Sequence, residues 1–160
     1  MEGLAFESDR GCVLVAAAYL DESLFELLGA TFSQDKVCRK KAVDPLFTGL
    51  GPLSTFSAKI KIAYALELID ADIFLSLETI RKIRNEFAHT FTDLTFDTPS
   101  VADRVKNLNI PDGMDADVQF EVEPGGEETI ALSKYRLGFA VAAAGLIGYI
   151  HNMTHSMQDA

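Results

Sequence analysis

Arg84, Asn85 and His89 close the most regularly patterned stretch of this chain, residues 51–89, in the order Arg-Asn-x3-His. An imidazole can move a proton near neutral pH, and a guanidinium can neutralise a phosphate or a developing oxyanion. Side chains of these types could activate a ribose 2′-hydroxyl and stabilise a phosphorane-like charge. Their spacing restricts that chemistry. Arg84 and His89 are five residues apart, about 140° around an α-helix at 3.6 residues per turn. One shared site then requires a distorted helix end or a second copy of the chain. The structural alternative makes Arg84 a brace: an arginine on an apolar face must pair with a carboxylate, and Asp9 or Asp21 could serve. His89 would then cap the last carbonyls of its helix, bond Asn85 one turn back, or fill a core position.

Other candidate groups carry less. His151 and His155 are four apart, the spacing of a metal pair on a helix, but no third ligand is evident and exposed helix-end histidines are the simpler reading. Residues 112–128 hold seven acids and no Lys or Arg, without the regular oxygen spacing of a calcium loop. They read as a solvated or partner-facing segment. Cys12 and Cys38 have no metal-ligand spacing and form no disulfide framework. There is no glycine-rich phosphate loop and no nucleophile elbow. Neither a metal nor a cofactor is expected.

The elements that carry these residues read as helices. Ile73, Leu77, Ile80, Arg84 and Phe87 step by four, three, four and three, one face of a helix over residues 72–91 with Asp70 able to cap it. Residues 53–69 form the helix before it, and the short link implies an antiparallel hairpin. A first helix spans residues 8–28, capped by Ser8 or Asp9, striped by Val13, Ala16, Ala17, Leu20, Leu24 and Leu27, and stopped by Gly29. Residues 30–50 are mixed, and the basic cluster Lys36, Arg39, Lys40, Lys41 is placed in a loop. Thr98-Pro99 opens a helix to residue 108. Val118–Val122 alternates apolar and polar, so a β-like arm is allowed before the Pro124-Gly125-Gly126 turn. A last helix, residues 130–157, is rich in small residues. The expected fold is all-α, one domain over residues 1–160, of about five or six helices, with a small irregular or β-like insertion near residues 112–128.

Three ordered segments, GPLSTFSAKI, IAYALELI and IRKIRNEFAH, together with Glu7-Ser8-Asp9-Arg10 and Asp21-Glu22, resemble the mannitol operon repressor (MltR) family. The likeness runs from about residue 7 to residue 97, with a looser match in the last helix. It implies a regulator of mannitol operon transcription, with Asp9, Arg10, Asp21, Arg84, Asn85 and His89 as structural or interaction positions. One departure is Glu67, where that family's segment leads one to expect glycine; as the better helix former, Glu is expected to tighten the helix. More distantly, Arg84, Asn85 and His89 resemble the R-x4-H signature of HEPN domains, which are helical and include metal-independent ribonucleases as well as inactive binding modules.

Charge selects among these implications. Lys plus Arg number 14 and Asp plus Glu 24, for a net charge of −10. Affinity for a nucleic-acid backbone comes mainly from cations that neutralise phosphate, and no basic tail offsets the acids. The early turns of the 72–91 helix present Asp72, Ser76, Glu78 and Thr79, poor groups for a recognition helix. The chain is therefore expected to act through protein partners, a DNA-binding regulator among the candidates, with a homodimer allowed and no direct DNA contact. The acidic N-terminus does not resemble a signal peptide. The longest apolar run, residues 137–150, is too short to span a bilayer. These features read as cytoplasmic.

Overall fold

A computed structural model describes residues 8–90, 93–109 and 133–158. Every element among the described residues is helical: α1 (Asp9–Thr31), α2 (Lys36–Cys38), a π-helical turn (Arg39–Val43), α3 (Asp44–Phe47), α4 (Phe56–Ala65), α5 (Ala71–His89), α6 (Pro99–Lys106) and α7 (Lys134–Gln158). The 112–128 insertion lies outside the described residues.

α1 is the axis of the bundle. The Ser8 side chain caps it by accepting from the Gly11 amide at 3.1 Å. Its stripe of Val13, Ala16, Leu20, Leu24 and Leu27 is fully buried, chiefly against α7, then α5 and α4. The helix continues past the expected stop. Gly29 is a buried helical residue, and its carbonyl accepts from Arg39 Nη1 at 3.0 Å. The small residues of α7 let it lie close to α1, with Phe139, Ala142, Ala143, Leu146 and Ile150 buried. By length and composition α7 could cross a membrane, longer than the apolar run within it implied. Here that apolar face is the bundle core.

Residues 30–50, expected to be irregular, instead fold as three short helical pieces in succession. Asp35 caps the first by accepting from the Val37 and Cys38 amides. Pieces of three to five residues carry too little periodicity to be read from the sequence. Phe47 ends this stretch and packs edge-on against Phe25 and Phe32, at 5.0 and 6.0 Å between centroids.

The return into α4 depends on Gly51. A β-carbon there would collide with the carbonyls of Pro45 and Leu46, and the Leu53 amide bonds Leu46 O at 2.8 Å. Thr55 caps α4 through the Ala58 amide at 3.2 Å. α4 then ends three turns later in a Schellman motif: Leu68 N–H bonds Ala63 O and Glu67 N–H bonds Tyr64 O, each at 2.9 Å. Glu67 takes the left-handed position, φ +56°. The expectation that Glu67 tightens a helix is thus wrong, because the residue lies just past the helix end, where glycine fits and a Cβ is strained. Asp70 caps α5 as expected, accepting from the Ile73 amide at 2.9 Å.

Candidate functional site: one clamped end of the bundle

The opening of α1 ties three distant segments together. Asp9 Oδ1 accepts from Arg136 Nη1 of α7 at 3.3 Å, and Asp9 Oδ2 accepts from the Phe96 amide at 3.0 Å. Both groups sit over a buried aromatic series in which Phe96 contacts Phe87 of α5 at 5.6 Å and Phe139 of α7 at 5.2 Å. The neighbouring Arg10 donates from Nη2 to the carbonyl of Thr90, the residue that ends α5. A cation at a helix C-terminus and an anion in the first turn of α1 both oppose the helix dipoles favourably. The Ser-Asp-Arg sequence thus joins the start of α1, the end of α5 and the start of α7.

Asp21 performs a similar task lower on α1. It accepts from Lys59 Nζ of α4 at 2.8 Å, with the lysine side chain 8% exposed and the aspartate 35%. Asp9 and Asp21 are therefore occupied by Arg136 and Lys59. Arg84 braces neither of them, which corrects the sequence expectation. Its face was misassigned: the buried line of α5 runs through Ile73, Leu77, Ile80, Ile83 and Phe87. Arg84 is exposed, and among the described residues it donates to the adjacent Asn85 Oδ1, at 3.1 Å.

His89 is exposed on the last turn of α5. The structure thus places Arg84, Asn85 and His89 on the accessible part of one helix without gathering them into a pocket. Two open cavities, of about 490 and 670 Å³, are lined by other residues. No group of three or more His, Cys, Asp or Glu among the described residues could hold a metal ion. Cys12 is buried and Cys38 half-buried, and both remain thiols.

Two further charges on α5 are held in pairs. Glu86 accepts from Ser100 Oγ at 3.1 Å and pairs with Arg104, linking α5 to α6. Arg81 donates through Nε and Nη2 to both oxygens of Glu78, at 2.9 and 2.8 Å. This hydrogen bonding holds the Glu78 carboxyl below the usual glutamate range, against the opposing effect of burial, and raises Arg81. Sequence reasoning missed Lys59 and Arg136 as joints. A signal was present: Lys59 precedes Ile60 and Ala63 on the buried side of α4, and Arg136 lies three residues before Phe139 on that of α7.

Residues 4–141 match the family model described as mannitol repressor. The chain belongs to the mannitol repressor family. It is 24% identical over 127 residues to the mannitol operon repressor of Escherichia coli K12, covering 79% of this chain and 65% of that protein. The counterpart from E. coli O6:H1 matches to the same extent. The chain thus spans about two thirds of the length of these mannitol repressors. Among solved structures, the MtlR–HPr complex from E. coli is similar at a TM-score of 0.61 and 20% identity, over 96% of this chain and 92% of that one. A possible transcriptional regulator, YggD, from Shigella flexneri 2a is similar at 0.65 and 16%, over 98% and 93%. These likenesses establish the helical fold.

In mannitol repressor terms, the segments that carried the resemblance now have physical roles here. Ser8-Asp9-Arg10 clamps one end, Gly51 admits a backbone crossing, and Lys59 anchors α4 to Asp21.

Proposed function

We propose that this chain regulates mannitol operon expression as a co-regulator that works through a protein partner, and that the partner is an HPr-type protein. The observation that carries this reading is the family match over residues 4–141. The similarity of fold to a repressor solved together with HPr supports the choice of partner. The charge of −10 supports indirect action, since a surface this acidic is repelled by a phosphate backbone. α4 and α5 follow one another through a tight turn, yet the exposed early positions of α5 include Asp72 and Leu75. Such side chains do not read a groove. A band-shift titration of the purified chain against mannitol operator DNA tests this: no sequence-specific shift is expected at physiological salt. A tight, specific shift by the chain alone would contradict indirect action.

One observation favours a second reading, a HEPN-like ribonuclease or RNA-binding module. Arg84 has no carboxylate partner among the described residues, and His89 is exposed five residues farther along α5. In that reading both would serve a composite site across a dimer, with His89 moving the proton and Arg84 meeting phosphate charge. Incubating wild type and His89→Ala with mixed RNA in the presence of chelator separates the readings. Cleavage by wild type and not by the variant would support the ribonuclease; no cleavage, or equal cleavage by both, removes it.

A further inference from the structure

The last turns of α7 hold two histidines that the regulatory reading does not use. His151 and His155 are both exposed, with Nε2 atoms 2.9 Å apart and rings at 86°. They line the 670 Å³ cavity between the end of α1 and the end of α7, together with Glu26, Gln34 and Arg39. Two imidazole nitrogens at this distance either share a proton or share an ion. A metal ion is ligated by the neutral imidazole.

We propose that His151 and His155 form a two-nitrogen site for a divalent ion of the copper or nickel class. At a metal–nitrogen distance of ~2.05 Å, a separation of 2.9 Å subtends an angle of about 90° at the ion. That is the angle between adjacent ligands in square-planar or octahedral coordination, which Cu(II) and Ni(II) favour. A tetrahedral Zn(II) ion would need the nitrogens about 3.3 Å apart, at similar bond lengths. The i, i+4 spacing on a regular helix fixes both rings on one face, so the site forms without backbone movement. Water would complete the coordination from the open cavity that both rings line. Arg39 lines the same cavity, with its Nη1 held by Gly29 O and Gln34 Oε1. Glu26 adds a negative charge to the same cavity.

Calorimetric titration of the tag-free full chain with NiCl2 or CuCl2 near pH 7.5 tests the site. One ion per chain is expected. His151→Gln and His155→Gln should each weaken binding at least ~10-fold, by analogy with the loss of a metal-supporting group. His89→Gln should bind as wild type does. Bound Cu(II) should show an electron paramagnetic resonance spectrum with two equatorial nitrogens, lost in the double variant. Both rings are exposed, so circular dichroism and melting midpoints should match wild type. Equal binding by wild type and the double variant, or no saturable binding of either ion by wild type, would overturn the proposal.

Discussion

Asp9 is the residue on which most of the clamped end depends. Asp9→Ala removes the carboxylate that pairs with Arg136, which is 10% exposed as a side chain, and takes the acceptor from the Phe96 amide. Removing one partner of a buried pair costs ~3–5 kcal/mol; Asp9 is itself partly solvated, so a loss of roughly 2–3 kcal/mol is expected in urea melts. Arg84→Ala should behave oppositely, within about 0.5 kcal/mol of wild type, as at ordinary surface positions. A large loss at Arg84 would restore the brace that the geometry of Asp9 and Asp21 removes. Glu67→Gly relieves a left-handed backbone that costs a non-glycine residue ~1–2 kcal/mol. Part of that gain is offset by the greater freedom of glycine when unfolded. A net stabilisation of about 0.5–1 kcal/mol is therefore expected, read as a raised denaturation midpoint. At Glu78 the folded carboxyl is held below its ordinary range by Arg81. A depressed acid stabilises the fold above its unfolded pKa and loses that contribution as pH falls through the folded one. The stability gap between wild type and Glu78→Gln should therefore be steady at neutral pH and close on acidification.

Among the elements, the long helices were legible because each carries a buried stripe, and several also carry a recognisable cap. Ser8, Thr55 and Asp70 all cap through their side chains. The stretch from α2 to α3 was not legible, since its structure comes from packing against α1 and from Arg39 reaching the end of α1. Steps of three and four were also ambiguous on α5, where Ile83 and not Arg84 faces the core. A shift of one residue moved Arg84 from brace to surface, and this is why its pairing with Asp9 or Asp21 was misread. The resemblance located Gly51 but not its reason. Gly51→Ala forces a β-carbon into two backbone carbonyls, and no flexible side chain can yield. A cost above ~2 kcal/mol is expected, in the upper part of the range for single substitutions, with α2 and α3 loosening first in hydrogen exchange. Unchanged exchange at Val43 and Phe47 would show that this crossing is not what seats them.

For the whole molecule, fold and charge together frame the proposed function. Among the described residues, five helices of eight residues or more converge on one apolar core. The ion pairs Asp9–Arg136, Asp21–Lys59 and Glu86–Arg104 join different helices of that core. Acids outnumber bases 24 to 14, so the net charge of −10 disfavours a nucleic-acid backbone. A molecule built this way suits recognition of another protein. The most direct test is calorimetric titration of the purified chain with HPr at physiological salt. The account predicts saturable one-to-one binding, in the micromolar range or tighter (about −8 kcal/mol at 1 µM), that survives Arg84→Ala. Absence of any heat or complex with HPr, alongside specific binding of operator DNA by the chain alone, would contradict it.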